Sequence, residues 1–354
     1  MKTGLLTFHA ADNFGAVLQA AALQQYIDSN ICDCELIDFV PNNCIAQKAL
    51  PYRAKRAVLK LHWLLKKNTA AKFAAFRKKN FKLSHRKYYA DEALFANAPA
   101  YDVVISGSDQ ILNTTLSGTS ESFYLRPWKQ TKKITYASSF GRTELSQDEY
   151  RLIRSELSGF SHLSAREQSA AQLLSEELGR EVPVVTDPVF LLHADAWAEK
   201  CEEVPNLGAY TFVYAMEYSK IMENAILQQM QHSRVYVLCG SQSAQKLPGN
   251  KIMDCGPGEF LSYIKNAGLV LTNSFHGTAF SIIFNKPLLC VAHTTRNARL
   301  QNIMQQSQNP DKLITQSLSY DAMMQLAVDG KQAYCAMEPQ IEASKQYLKT
   351  ALEH

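Results

Sequence analysis

Four short turns in this sequence gather side chains that can handle anions and protons. The fullest is Leu269–Thr272 followed by Asn273-Ser274-Phe275-His276-Gly277-Thr278, with Gly256-Pro257-Gly258-Glu259 ahead of it. A buried strand ends in Asn-Ser, and His276 and Gly277 begin the next helix. Backbone N–H groups at a helix start attract phosphate. An imidazole, which titrates near neutrality, suits proton transfer. A lone histidine is more often structural, so both readings stand for His276. The second turn is Ser106-Gly107-Ser108-Asp109-Gln110. Ligands of open α/β sheets gather at the carboxyl ends of strands, where Ser108 and Asp109 would lie; Asp109 as a helix N-cap is the other reading. The third is Ser164-Ala165-Arg166-Glu167. Arg166 is suited to a carboxylate or phosphate, or it pairs locally with Glu167 or Asp187. The fourth, Phe8 to Ala16, contains Asp12, Asn13 and Gly15. Gly15 leaves N–H groups uncovered at a helix start, and Asn13 caps that helix or meets a sugar hydroxyl. It lacks both the G-x-G-x-x-G and the Walker pattern. No metal-ligand spacing is visible, and the eight cysteines form no CxxC pair, so reduced thiols in a cytoplasmic protein are expected.

These turns need strands and helices to hold them. Short β-branched runs alternate with helical segments: Gly4–Phe8, Glu35–Phe39, Asp102–Ser106, Ile134–Ala137, His162–Ser164 and Val182–Val185, then Tyr210–Tyr214, Val235–Leu238, Leu269–Thr272 and Leu288–Val291. The alternation predicts doubly wound α/β domains with parallel sheets. A length of 354 residues favours two. The expected bounds are 1–200 and 205–335, then a helix over 336–351 packing back on the first domain, with 352–354 set aside as a tag remnant. His9, Asp12 and Asn13 interrupt the first apolar run too early for a signal peptide, and no run reaches the ~18 residues of a membrane span. A formal net charge of +4 demands no nucleic-acid partner. One insertion, about 48–90, is different. From Phe39 to Ala90 there is no acidic residue, while Arg53, Lys66, Lys67, Lys78, Lys79 and Lys87 are among its basic ones. Leu61, Leu65, Phe73 and Phe76 fall at helical spacing. Such a segment over 53–87 either lies peripherally on an anionic membrane or packs on its own domain.

The blocks NFGAVLQAAALQ (13–24), DVVISGSDQILN (102–113), YASSFG (136–141), LSAREQSAAQLL (163–174), VTDPVFLL (185–192), GPGEFL (256–261) and LVLTNSFHGTAFSIIFNKP (269–287) occur in order. Together they resemble the polysaccharide pyruvyl transferase family. The resemblance implies two Rossmann-like domains facing a cleft, as in GT-B enzymes. It implies transfer of pyruvate from phosphoenolpyruvate, a co-substrate with no other cofactor, to a sugar of a surface glycan. The acceptor would be carried on a polyprenyl diphosphate at the inner face of the membrane. His276 matches a family histidine assigned to proton transfer, and Arg166 an arginine linked to phosphoenolpyruvate. His276 and Asp109 are thus the expected catalytic residues, with Arg166, Asn13, Gly15, Ser108, Asn273, Ser274, Gly277 and Glu259 touching substrate in the cleft. Some branches carry Arg-Leu-His where this chain reads Ser274-Phe275-His276. Lys286, Arg296 and Arg299 are the nearest candidates for the missing cation. A nucleotide-sugar glycosyltransferase and a non-catalytic glycan-assembly subunit are the other classes compatible with the sequence.

Overall fold

The structure is a computed structural model that describes residues 1–42, 59–117, 120–141, 144–295 and 297–353, with the backbone alone for 59–67. Among the described residues ten strands form two sheets in which every strand pairing is parallel. The chain divides into two compact units. The first comprises the described residues of Met1–Ala54, Arg77–Leu192 and Gln340–His354, and the second those of Lys55–Phe76 and His193–Pro339.

In unit 1, β1 (Lys2–Leu6), β2 (Asp33–Leu36), β3 (Val103–Ser106) and β4 (Lys132–Thr135) run in the order β2-β1-β3-β4. Strand β3, Val-Val-Ile-Ser, is buried throughout, as a central parallel strand covered on both faces must be. The predicted strands at 162–164 and 182–185 are reduced to single parallel bridges, Ile134 with His162 and Ala165 with Val184. Helix α1 (Phe14–Asn30) starts at Asn13, whose Oδ1 accepts the Ala16 N–H at 3.1 Å.

In unit 2 the order is β10-β9-β8-β5-β6-β7, with β5 at Tyr210–Ala215, β6 at Arg234–Cys239, β7 at Asn250–Ile252, β8 at Leu269–Thr272, β9 at Leu288–Val291 and β10 at Leu313–Ile314. The two edge strands, β7 and β10, have no counterpart in the sequence reading. Three residues, Asn-Lys-Ile, and two, Leu-Ile, are too short for a periodic signal.

The basic insertion departs from expectation. Its first part, to residue 58, lies outside the described residues. The rest forms helix α2 (Leu59–Asn80), whose portion up to Phe76 groups with unit 2 rather than with the N-terminal domain. Acids distant in sequence hold it. Lys72 Nζ is 2.7 Å from Glu259 Oε1 and 2.8 Å from Asp254 Oδ2, and Thr69 donates to Asp254 at 2.9 Å. Phe73 and Phe76 are 1% and 2% exposed. For these two residues the packed reading of the segment therefore holds and the membrane reading does not.

The last helix, α6 (Gly330–Glu353), begins earlier than expected and carries Pro339 inside it. The unit boundary falls at that proline, where the helix loses an N–H and a hydrogen bond. In unit 1, the Thr186 N–H donates to Ser344 Oγ at 2.9 Å and Tyr347 donates to the Thr135 carbonyl at 3.0 Å. Leu352, set aside with Glu353 and His354 as a tag remnant, is instead 2% exposed in the same core as Leu348 and Ala351. His354 lies outside the described residues. No described helix is long and apolar enough to cross a membrane.

Candidate functional site

The carboxyl edge of the unit 1 sheet is built from small residues. After β3 the chain turns through Gly107, where an added Cβ would lie 2.9 Å from Thr7 Cβ. Asp109 then adopts φ +73°. A left-handed backbone at a non-glycine residue costs roughly 1–2 kcal/mol and is held by its surroundings. Here Thr7 Oγ1 donates to the Ser108 carbonyl at 2.9 Å, and the Ser139 N–H donates to the Asp109 carbonyl at 3.0 Å. Ser108 is fully buried, and its Oγ has no hydrogen-bond partner. Buried hydroxyls are rarely left in this state, so each one calls for a cause. The next helix starts at Thr114, so Asp109 does not cap it; Asn113 Oδ1 accepts the Thr115 N–H instead.

Arg166 lies beside this turn and is 1% exposed. Its Nη1 donates to Asp187 Oδ2 at 2.8 Å, its Nε donates to Glu167 Oε1 at 3.3 Å, and its Nη2 is 3.9 Å from Asp109 Oδ1. Both carboxylates that the sequence offered as local ion-pair partners are therefore its partners. Burial works against the guanidinium charge, but Glu167, Asp187 and Asp109 outweigh it and raise the pKa further. Ser139 Oγ also donates to Glu167 Oε1, at 2.9 Å. One cation thus organises three carboxylates around the Ser108–Asp109 turn.

The carboxyl edge of the unit 2 sheet has a different chemistry. Strand β8, Leu-Val-Leu-Thr, is wholly buried. Asn273 follows at 3% exposure; its Oδ1 accepts the Met216 N–H at 2.7 Å, and its Nδ2 has no hydrogen-bond partner. Ser274 caps α5 (Phe275–Ile283), with Oγ accepting the Gly277 N–H at 3.4 Å. A Cβ on Gly277 would lie 2.4 Å from Thr272 Oγ1. Glycine is what lets the first turn of α5 press against the end of β8. His276 is 8% exposed in that turn, with its ring edge-on to Phe275 at 5.1 Å.

Other expected site residues have structural duties. Glu259 Oε2 accepts the Gly256 N–H at 2.7 Å, and both its oxygens accept from Lys72. It secures the start of the helix Pro257–Asn266 and binds α2. Asp12 pairs with Arg77 at 3.0 Å. Asn13 caps α1, and Gly15 is buried in its first turn. Two pairs were not foreseen. His9 Nε2 lies 3.2 Å from Asp38 Oδ1 after β1, and His293 Nε2 lies 3.2 Å from Glu217 Oε2 after β9. The members of each pair are far apart in sequence, so spacing gave no signal. Among the described residues no group of three or more His, Cys, Asp or Glu is arranged to hold a metal ion.

A family model for polysaccharide pyruvyl transferase matches residues 13–295, well over half of the chain. The chain belongs to the polysaccharide pyruvyl transferase family. No curated protein matches it in sequence. Similar solved structures include UDP-N-acetylglucosamine 2-epimerase from Rickettsia bellii, at TM-score 0.56 and 11% identity, covering 100% of this chain and 96% of that one. UDP-GlcNAc 2-epimerase from Neisseria meningitidis, solved bound to UDP-GlcNAc, gives 0.52 and 11%, with 100% of both chains covered. At such identity the likeness concerns fold alone: this pyruvyl transferase family member has two Rossmann-like units of the GT-B-like class. Where some family branches carry arginine, it has the cap Ser274. Lys286 cannot stand in, because it follows the far end of α5 and precedes β9, at the amino edge of the sheet. Arg299 belongs to the helix Ala298–Gln306, which follows β9 at the carboxyl edge. Arg296 lies outside the described residues.

Proposed function

We propose that this protein transfers pyruvate from phosphoenolpyruvate to two hydroxyls of a sugar in a surface-glycan precursor, forming a ketal and releasing phosphate. The family match supports the reaction class. The observation that carries the reading is made in each unit separately: a buried, unpartnered polar atom at the carboxyl edge of its parallel sheet, Ser108 Oγ in unit 1 and Asn273 Nδ2 in unit 2. Orphaned polar atoms at that edge are what a polar substrate would satisfy.

The chemistry proceeds in balanced steps. A proton adds to the methylene carbon of phosphoenolpyruvate, drawing on the C=C electron pair and leaving the adjacent carbon electrophilic. One sugar hydroxyl attacks that carbon and gives up its proton. The second hydroxyl then displaces phosphate and gives up its own. His276 is assigned the delivery of the first proton, with the N-terminal turn of α5 favouring the phosphate anion. Asp109 is assigned to an acceptor hydroxyl, and Arg166 to keeping Asp109 and Glu167 in place.

The test is phosphate release from phosphoenolpyruvate with a panel of free and lipid-linked glycosides. His276→Ala should lower turnover by ~10²–10⁴-fold while the circular dichroism spectrum is retained. Turnover near that of the wild type would remove His276 from the chemistry. Binding of a nucleotide sugar with no phosphate release from any acceptor would favour a glycosyltransferase instead.

We place the reaction on the cytoplasmic side, with a lipid-linked acceptor at an anionic membrane surface. Lys78 and Lys79 are exposed on α2, and each basic residue close to anionic lipid contributes ~1 kcal/mol. With Phe73 and Phe76 buried, the attraction proposed here rests on the charge of Lys78 and Lys79. Co-sedimentation with anionic vesicles should therefore fall at high salt and in the Lys78→Glu/Lys79→Glu variant. Absence of binding at low salt would eliminate the surface role.

A further inference from the structure

Unit 1 has a cavity away from the Ser108–Asp109 edge. It is an open hollow of about 550 Å³, within the ~300–1,000 Å³ usual for small-molecule sites. Lys133 lines it from the start of β4 and Lys129 from the segment just before, which puts the cavity at the amino edge of the sheet. Arg126 forms part of the wall, but its guanidinium is taken up by Glu121 and by Glu156, the latter at 2.7 Å. Lys129 and Lys133 have no ion-pair partner among the described residues. Lys133 is partly buried and sits 5.9 Å over the Phe160 ring. Burial lowers its pKa, with Glu156 opposing and Arg126 adding to the shift. Phe95, 41% exposed, supplies an aromatic wall, with Pro127 beside it.

We propose that this cavity is a second glycan-binding site, selective for a sugar that bears a carboxylate. The charges decide the class. Three cations and two carboxylates line the cavity, so its net charge is positive and favours an acidic sugar over a neutral one, while phosphate offers neither a row of hydroxyl donors for the carboxylates nor an apolar face for Phe95. The glutamates offer acceptors to sugar hydroxyls. Phe95 offers an apolar face to the C–H side of a pyranose ring. The reaction proposed above leaves a carboxylate on its product. Resting on that reading, the site would hold an already modified unit of the same glycan while another unit is processed.

The experiment is isothermal titration of the full chain with tetragalacturonate, maltotetraose and inorganic phosphate at low and high salt. Tetragalacturonate should bind saturably and more weakly at high salt, with maltotetraose and phosphate binding at least about tenfold more weakly. Lys129→Gln/Lys133→Gln should lose about tenfold or more in affinity. The exposed single changes Lys129→Gln and Phe95→Ala, which leave the core untouched, should each weaken binding. His276→Ala should bind as the wild type does, so failure of pyruvyl transfer and failure of this site give separate results. Equal affinity for phosphate, equal affinity for maltotetraose, or unchanged binding in both single variants would overturn the proposal.

Discussion

The two carboxyl edges of this protein solve the same problem with opposite electrostatics. In unit 1, Arg166 faces Asp109, Glu167 and Asp187, so the cluster carries one formal positive charge against three negative ones. In unit 2, Asn273, Ser274 and Gly277 present uncharged groups at the start of α5, where the helix dipole is positive. On the proposed reaction, an anionic donor would be disfavoured at the first edge and favoured at the second. Sugar hydroxyls, which need acceptors, are favoured at the first. On these charges we propose that Arg166, which the family resemblance links to phosphoenolpyruvate, instead holds the carboxylates of the first edge in place.

The largest effect should come from removing that cation. Arg166→Gln leaves buried carboxylates uncompensated and should cost about 3–5 kcal/mol of stability, measured by urea denaturation. A loss below ~1 kcal/mol, the range of surface pairs, would mean that the ion-pair cluster is not what holds this edge. Arg166→Lys sharpens the contrast, since it keeps charge but loses the planar fork. A lower Tm with an unchanged KM for phosphoenolpyruvate fits the holding role. A raised KM with an unchanged Tm would return Arg166 to the donor.

The same contrast shows what the sequence could reveal. Strands β3, β8 and β9 were legible because buried parallel strands read as unbroken apolar runs. The unit 2 edge was legible because Asn273 through Gly277 are consecutive. The unit 1 edge was legible only in part: Arg166 and Asp187 meet across 21 residues through the bridge of Ala165 with Val184. His9 and Asp38 likewise meet only after β1 and β2 pair. The helical spacing of Phe73 and Phe76 correctly marked one face of α2, but periodicity cannot say whether protein or lipid covers that face. The acids that answer Lys72, Asp254 and Glu259, lie more than 180 residues further along the chain.

A smaller effect is expected from tightening the unit 2 edge. Gly277→Ala forces a methyl to within 2.4 Å of Thr272 Oγ1, and Thr272 is already committed to the Tyr214 carbonyl and the Ser274 N–H. Overpacking of this kind costs ~1–3 kcal/mol. The displaced turn should also raise the KM for phosphoenolpyruvate, because the N–H groups at the start of α5 shift with it. Denaturation and steady-state kinetics read the two separately. A stable variant with unchanged KM would show that this turn neither packs tightly nor meets the donor.

The smallest stability effect belongs to Ser108, and it is the most discriminating. Its hydroxyl is buried without a partner, so the folded protein bears a desolvation cost that no internal bond offsets. Ser108→Ala removes that cost and leaves the Thr7 bond intact, because Thr7 donates to the Ser108 carbonyl and not to its side chain. Stability should therefore stay level or rise by up to ~1 kcal/mol. If the hydroxyl is kept for substrate, the gain comes with a loss: the KM for the acceptor should rise by about tenfold, the worth of one hydrogen bond of ~1.4 kcal/mol, while the KM for phosphoenolpyruvate stays put. A change in the donor KM instead would place phosphoenolpyruvate at the unit 1 edge and reverse the division of labour drawn from the charges. A loss of stability would show that Ser108 is satisfied internally, and the strain at Asp109 would then need a cause other than substrate.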